Sequence, residues 1–526
     1  MASSSVPASL APATSTWAEK AARAAPPLTE VVFLSMFWWL LAGTGRIALL
    51  ADGDTGWHIR AGQWILAHRR FPTEDLFSYS RPHAEWFAWE WLSDVLLAGV
   101  HHYLGLAGVT LAAAVLIGAT SAVLLGYLLW HRVHILVGIV VMLVAGSAST
   151  IHWLARPHLF TYLLFPATLW LLDADRRSPG RRVWLLAPLA ALWTNLHGGF
   201  LILPATLGCY TLGALLGRDR RNARRYALLT LAAAALTLIN PYTWRLHLHI
   251  ARYLSSDFIR NRVMEFQSPQ FRGESMLAYE LLLLTGLILV PRLWRRGEHA
   301  TALLLVALAH ASLGSVRHVL LYVLAAAPVM ARELTSLVVG SRSEWVRALA
   351  AVGSDDSAPR GPRLRFPLYG LASVALAVAL FRTGGPAWRV PDFPPQKFPL
   401  AALAAADKNS LGARMFTSDQ WADYMIYRYW PTRRVFIDGR SDFYGPALGA
   451  QYLEALSARH GWEQIFAQYQ FDVALLPAEW PLATVLKVRP DWQLEYDDGQ
   501  ALLLRRVSPT YAVSVNPTIP RGEKRN

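Results

Sequence analysis

The chain contains few charged residues and a single cysteine. Charged residues make up 16% of its 526 residues, against 54% hydrophobic residues. Because a soluble globular domain carries nearer to about a quarter of charged residues, this composition excludes an ordinary soluble enzyme and indicates a membrane protein. The lone Cys209 excludes an intrachain disulfide and a cysteine metal site. It lies in an apolar segment and is predicted to be a packing residue.

Acidic residues are outnumbered by basic ones, and the formal net charge is +14. The arginines stand in short clusters between apolar runs and form no basic face with interleaved aromatic residues, so nucleic acid is not an expected partner. They are typical of cytoplasmic loops, which carry an excess of Lys and Arg. Residues 1–27 lack the basic start and the cleavage site of a secretory signal. We expect them to form a disordered cytoplasmic tail.

Apolar runs dominate residues 28–382. A bilayer core of about 30 Å requires roughly 20 apolar residues per helix, and the region contains about eleven such runs, several of them shorter than a full span. Basic clusters occur in every second short loop, which places the N-terminus in the cytoplasm and the other loops outside it. We therefore predict a mostly α-helical, polytopic transmembrane bundle in the inner (plasma) membrane, surrounded by membrane lipids.

The composition changes after the last apolar run. Residues 383–506 have the pattern of a soluble α/β domain outside the cytoplasm, followed by a flexible tail at 507–526. Ser418 is a typical N-cap for a helix over Asp419–Tyr429, and Asp498-Gly499 is a hairpin turn signal. Strands alternating with helices predict a small parallel or mixed sheet. The predicted strands are Arg414–Thr417, Arg434–Asp438, Phe471–Leu476, Trp492–Tyr496 and Ala501–Leu504.

The unusual polar residues lie in the loops assigned to the outside. The first outer loop, residues 51–105, begins with Asp52-Gly53-Asp54, whose carboxylates can bind a hard cation or act as a general base. A structural turn is the alternative, because Asp and Gly are common in turns. Two outer stretches, Trp89–Tyr103 within this loop and Arg245–Ser275 later in the chain, are expected to lie along the membrane surface. Later outer loops contribute Arg156, His158, His197, Arg317 and His318.

The run from Asp52 to Leu66, together with Glu85-Trp86 and Trp89-Glu90-Trp91-Leu92, resembles the first outer loop of bacterial membrane glycosyltransferases of the GT-C superfamily. The stretch from Val435 to Gly445 looks like one found in the same proteins. This resemblance implies transfer of a hexosyl or pentosyl group from a polyprenyl-phosphate-linked sugar to an extracytoplasmic acceptor, with inversion at the anomeric carbon. The acceptor is a glycan, a lipid or a protein. Such a donor needs no nucleotide-binding loop, and no phosphate-cradling glycine-rich motif is present.

Under this hypothesis, Asp52 or Asp54 is the catalytic base that takes the proton of an acceptor hydroxyl. The same two carboxylates are candidates for binding Mg²⁺ or Mn²⁺, and no other cofactor is expected. Arginine suits a lipid phosphate through its planar guanidinium. The predicted substrate-binding residues are His58, Glu90, Arg156, His158, His197, Arg317, His318, Asp438 and Arg440.

These assignments have ordinary alternatives. An arginine or histidine at a helix end, such as Arg317, His158 or His318, often extends to the headgroups, and Asp438 and Arg440 can equally pair with each other. The chain as a whole can be a transporter or flippase of a lipid-linked saccharide, or a non-catalytic envelope-assembly protein. A transporter places ionisable residues near the middle of broken helices. The centres of the predicted spans are nearly free of charge, which favours an enzyme.

Overall fold

The computed structural model of the protein describes residues 25–273, 275–351, 367–406 and 414–507. Most of the predicted N-terminal tail, and the chain after residue 507, lie outside these ranges. Over them the protein is mostly helical. Up to residue 383 the α-helices are Leu28–Leu41, Gly45–Ala48, Asp54–His68, Trp91–Trp130, Ile135–Ser149, His158–Arg177, Leu186–Leu196, Ile202–Leu216, Arg220–Leu236, Trp244–Ser255, Asp257–Arg262, Met276–Arg295, His299–Gly314, Val319–Val339, Glu344–Ala351 and Leu368–Thr383.

Many of these helices suit a membrane. Within the described ranges, five helical segments are long and apolar enough to cross a bilayer: Trp91–Trp130, Ile135–His152, Gly198–Leu216, Met276–Arg295 and Val316–Val339. Three shorter apolar helices accompany them: Leu28–Leu41, His299–Gly314 and Leu368–Thr383. The protein is therefore of the multi-pass membrane type. The total of about eleven spans stays a prediction, because other predicted spans correspond to short helices.

The longest helix, Trp91–Trp130, has 40 residues, about twice the length that a bilayer core requires. It is bent at Gly105, whose φ of 60° and ψ of −149° are not helical. Before the bend it packs against the helix Asp54–His68, so closely that a Cβ on Gly62 would lie 1.9 Å from the carbonyl oxygen of Asp94. The first part of this long helix thus belongs structurally to the outer loop, and the part after Gly105 is the apolar span.

The C-terminal region contains a four-stranded sheet in the order β1-β2-β4-β3. Strands β1 and β2 are parallel, whereas β4 is antiparallel to both β2 and β3. This is the mixed sheet that the sequence predicts. The strands are β1 (Met415–Thr417), β2 (Val473–Pro477), β3 (Trp492–Asp497) and β4 (Ala501–Arg506). The helices are Leu400–Ala405, Asp419–Tyr429, Ser441–Leu456, Trp462–Gln468 and Pro481–Lys487.

The predicted strand Arg434–Asp438 is wrong. Its backbone forms one isolated parallel bridge, between Val435 and Ser78 of the first outer loop. The N–H of Val435 donates to the Phe77 carbonyl at 3.0 Å, and the N–H of Tyr79 donates to the Val435 carbonyl at 2.9 Å. The β-branched side chains are buried, so the apolar pattern reflects burial against the outer loop and not membership of the sheet.

The Asp-Gly-Asp turn packs directly on the C-terminal helix Asp419–Tyr429. A Cβ on Gly53 would lie 2.4 Å from the carbonyl oxygen of Gln420, and one on Gly56 would lie 2.7 Å from the carbonyl oxygen of Asp423. Residues three apart share one face of a helix, and only glycine allows the two backbones to approach this closely. The glycines of the motif therefore bring its carboxylates against the C-terminal region.

Candidate active site

Arg156 gathers three carboxylates from distant parts of the chain. Its Nη1 lies 2.8 Å from Asp52 Oδ2 and 2.6 Å from Glu265 Oε1, and its Nη2 lies 2.5 Å from Asp54 Oδ2. Asp52 and Asp54 stand at the start of the helix Asp54–His68, and Arg156 stands just before the helix His158–Arg177. Three residues that the sequence analysis singled out are thus in direct contact.

Backbone and side-chain hydrogen bonds hold this arrangement. Asp52 Oδ1 accepts the N–H of Asp54 at 2.9 Å, so the motif does form a turn as well as presenting charge. The Ala155 N–H donates to the Leu49 carbonyl at 2.8 Å, and the Thr55 hydroxyl donates to the Ala155 carbonyl at 3.0 Å. The segment that contains Arg156 is therefore hydrogen-bonded to residues both before and after the Asp-Gly-Asp turn.

Glu265 was missed by the sequence analysis. Its Oε2 lies 3.3 Å from Arg317 Nε, so one carboxylate bridges Arg156 and Arg317. The Ser315 hydroxyl donates to the Glu265 carbonyl at 2.8 Å, and this bond holds the Met264–Phe266 turn beside the end of the Val316–Val339 span. The signal in the sequence was one acidic residue within a basic and aromatic outer segment, which is too weak to identify a site.

The pKa values of Asp54 and Glu265 are shifted in opposite directions. Burial, with repulsion from Asp52 and Glu265 and against the attraction of Arg156, raises the pKa of Asp54 to about 7. Although burial opposes it, Arg156 and Arg317 hold the pKa of Glu265 well below its ordinary value. Glu265 therefore stays ionised near neutral pH, while Asp54 exchanges a proton there. Asp54 Oδ1 is buried, and no residue that the structure describes makes a well-formed hydrogen bond to it, although the Trp57 indole lies close enough to the Asp54 carboxylate to lower its pKa.

A second polar cluster surrounds Glu90. The Nε2 atoms of His58 and His197 lie 3.7 Å and 3.6 Å from its carboxylate oxygens, and the Gly198 N–H donates to Glu90 Oε1 at 3.2 Å. His58 Nδ1 lies 2.6 Å from Asp94 Oδ1, a buried partner that the sequence analysis also missed. Three of the predicted substrate-binding residues are therefore neighbours.

Burial disfavours the charged form of the imidazoles in this cluster. Burial, reinforced by Arg317 and Arg156, lowers the pKa of His197 to about 3, and burial with Arg156 lowers the pKa of His58. His197 Nδ1 accepts the Gly199 N–H at 2.9 Å, so its Nε2 carries the hydrogen and faces Glu90. Burial, against the Gly198 N–H and Arg156, raises the pKa of Glu90 to about 7.

The remaining predicted residues do not contact the carboxylates of Asp52, Asp54 or Glu90 directly, although the His158 ring lies 6.4 Å from that of His197. His158 Nε2 is 2.8 Å from the His152 carbonyl, which is the ordinary role of a satisfied histidine. His318 lines an open cavity of about 580 Å³ beside Phe266. Asp438 and Arg440 form a pair with two contacts of 2.8 and 2.7 Å, and their side chains are at most 1% exposed. Of the two roles considered for that pair, the geometry favours the structural one.

Over the described ranges, no group of three or more His, Cys, Asp and Glu side chains is arranged to hold a metal ion. Asp52 and Asp54 each direct one oxygen at Arg156. The unpartnered Oδ1 of Asp54 is the feature that suits a cation, since Mg²⁺ and Mn²⁺ prefer oxygen ligands. Binding of such a cation by Asp52 and Asp54 stays a prediction.

No family model matches the chain, and no curated protein matches it. Among solved structures, the archaeal oligosaccharyltransferase AglB from Archaeoglobus fulgidus, in complex with an inhibitory peptide and a dolichol-phosphate, matches with a TM-score of 0.55 and 12% sequence identity. The match covers 95% of this chain and 76% of that one. At this sequence identity, the structural match is evidence for the fold alone. The chain thus shares the fold of this oligosaccharyltransferase, in agreement with the fold that the resemblance of its first outer loop implies.

Proposed function

We propose that the protein transfers a sugar from a polyprenyl-phosphate carrier to a hydroxyl of an extracytoplasmic glycan, lipid or protein, with Asp54 as the general base. The observation that carries this proposal is the state of the Asp54 carboxylate. One oxygen is held by Arg156, and the other is buried and unpartnered. Asp52 is a weaker candidate, because its oxygens are engaged by Arg156 and by the Asp54 N–H.

The GT-C fold supports a lipid-linked donor. The solved AglB structure contains a dolichol-phosphate, which is a polyprenyl-type lipid phosphate. In this protein the polar cluster lies beside the start of the Val316–Val339 span, because Arg317 belongs to that segment. A lipid phosphate at the membrane border would meet the cluster there.

In the proposed reaction, the acceptor oxygen attacks the anomeric carbon while the Asp54 carboxylate takes the hydroxyl proton. The bond from that carbon to the phosphate oxygen breaks, and the polyprenyl phosphate leaves with the electron pair. Because attack comes from the side opposite the leaving group, the configuration at the anomeric carbon inverts. No covalent sugar–protein intermediate is formed.

We assign the phosphate of the leaving group to Arg317. Its side chain is 32% exposed and contacts one carboxylate, whereas that of Arg156 is 16% exposed and contacts three. Arg317 therefore has guanidinium hydrogens to offer an incoming phosphate, and Arg156 has few. A guanidinium binds phosphate oxygens in a bidentate fashion. We assign Glu90, positioned by His58 and His197, to the hydroxyl groups of the sugar.

Replacing Asp54 with Asn tests the base. The substitution keeps the shape of the side chain but removes the proton acceptor, so turnover should fall by roughly 10²- to 10⁴-fold. Mass spectrometry of envelope glycans and polyprenyl-linked sugars, in cells with and without the protein, identifies the product that is then measured. The carrier-linked sugar should accumulate in cells that contain Asp54→Asn.

Asp219→Asn is the matched control, because Asp219 caps the helix Arg220–Leu236 and Asn caps a helix equally well. It should retain full activity. Loss of activity on chelation and its recovery with Mg²⁺ or Mn²⁺ would assign a divalent cation to the same carboxylates. Full activity in the double variant Asp52→Asn/Asp54→Asn would remove the catalytic assignment.

A further inference from the structure

The free oxygen of Asp54 points at the C-terminal region. A Cβ built on Gly439 would lie 2.2 Å from Asp54 Oδ1 and 2.7 Å from Asp423 Oδ2. The two oxygens therefore lie against the same point of the Gly439 backbone. Both are buried, and neither accepts a well-formed hydrogen bond from any residue in the described ranges. No side chain larger than glycine fits at position 439 while both carboxyl groups keep these positions.

Asp423 is held firmly on its own side. It lies in the helix Asp419–Tyr429 and is fully buried, and its Oδ1 accepts the Gly439 N–H at 3.0 Å. The same helix is fixed to the Asp-Gly-Asp turn at two points, since the Gly53 N–H donates to Gln420 Oε1 at 2.8 Å and Gly56 packs on the Asp423 carbonyl. The position of Asp423 relative to Asp54 is thus determined by backbone contacts.

We propose that Asp423 and Gly439 are positioning residues for Asp54, so that the C-terminal region completes the catalytic site of the membrane region. This inference rests on the proposed function, because it concerns the same carboxylate. Arg156 holds Asp54 Oδ2 from one side. Gly439 leaves the space that Oδ1 occupies, and the Asp423 side chain forms a wall of the same space. Together they leave the Asp54 carboxylate one orientation, with Oδ1 unpartnered.

Two substitutions test the positioning role. Gly439→Ala places a methyl group 2.2 Å from Asp54 Oδ1 and forces that carboxylate to turn away. A displacement of about 1 Å at a reacting group costs on the order of 100-fold in rate, so kcat should fall by about that factor. Because the donor contacts are untouched, KM for the donor should change little. Gly208→Ala is the control, since a Cβ at Gly208 meets nothing within 4 Å.

Two substitutions at position 423 distinguish a positioning role of Asp423 from a direct chemical role. Asp423→Asn keeps the acceptor for the Gly439 N–H and a side chain of the same size beside Asp54, so kcat should stay within a few-fold of the wild type. Asp423→Ala removes the wall and should lower kcat roughly 10- to 100-fold at an unchanged KM. Thermal midpoints of all variants, measured on the full-length protein in detergent, show whether any loss comes from unfolding.

The outcomes distinguish this inference from the proposed function. If Asp54→Asn is fully active, the proposed function fails. If Asp54→Asn is inactive but both Asp423→Ala and Gly439→Ala turn over normally, the proposed function stands and the positioning role is overturned. If Asp423→Asn is as inactive as Asp423→Ala, the carboxylate of Asp423 reacts itself, which also overturns a positioning role.

Discussion

Replacing Arg156 with Met removes the cation that three carboxylates share. Asp52 and Asp54 are 13% and 10% exposed, whereas Glu265 is 39% exposed and keeps Arg317 as a partner. Asp52 and Asp54 therefore lose most of the charge compensation that Arg156 provides. Methionine keeps most of the apolar stem of arginine, so packing changes little and the variant reports on charge.

The expected magnitude follows from the uncompensated charge. Removing one partner of a buried ion pair costs about 3–5 kcal/mol, because the other charge is left without compensation. Adding Asp54→Asn to the same protein removes one of the stranded charges. Directly contacting residues commonly show coupling energies of about 0.5–3 kcal/mol. The double variant should therefore be more stable than Arg156→Met alone.

The assay is thermal unfolding of the detergent-solubilised protein, followed by tryptophan fluorescence. Of the proteins in this cycle, Arg156→Met should have the lowest thermal midpoint, the double variant Asp54→Asn/Arg156→Met a higher one, and the wild type a higher one still. Arg156→Lys should fall between Arg156→Met and wild type, because an ammonium restores the charge but not the planar fork that contacts several carboxylates. The reasoning would be refuted if the thermal midpoint of Arg156→Met equalled that of the wild type. It would also be refuted if the double variant had a lower midpoint than Arg156→Met.

Other predictions follow from single features. Because burial raises the pKa of Asp54 to about 7, the base gains its active, deprotonated form as pH rises, so the rate should climb between about pH 6 and 8; a profile that is flat there contradicts the assignment. Gly62→Ala meets the Asp94 carbonyl at 1.9 Å and should lower the thermal midpoint, whereas Gly146→Ala meets nothing within 4 Å and should not. In a cysteine-free background, a cysteine in place of the exposed Glu74 of the first outer loop should react with a membrane-impermeant reagent in intact cells, and one beside Arg221 should not; labelling at Arg221 would reverse the orientation.

Local features of the C-terminal region were predictable. Ser418 accepts the N–H of Trp421, as an N-cap of the helix Asp419–Tyr429 should. The turn at Asp498-Gly499 joins two antiparallel strands in the expected order. Both signals depend on contacts within a few residues, and such contacts are encoded by the types of neighbouring residues.

The strand predicted over Arg434–Asp438 is a case in which local signals gave the wrong structure. Val435 and its neighbours have the apolar, β-branched character of a buried strand, and they are buried. Their partner is the first outer loop, more than 350 residues away in sequence, as the Ser80 hydroxyl bonded to the Phe436 carbonyl at 2.5 Å also shows. Burial was predictable, but the identity of the partner was not.

The sequence alone determined the membrane class, the presence of a small C-terminal sheet, and the residue types that carry the chemistry. Hydropathy, loop charge and turn residues are sums of local preferences, and so Asp52, Asp54, Arg156 and Arg317 could be singled out one at a time. The tertiary structure decided which of them touch. Glu265, Asp94 and Asp423 became visible only there, because each contributes through a contact with a residue distant in sequence. The free energy of such contacts depends on burial and geometry that no local pattern contains.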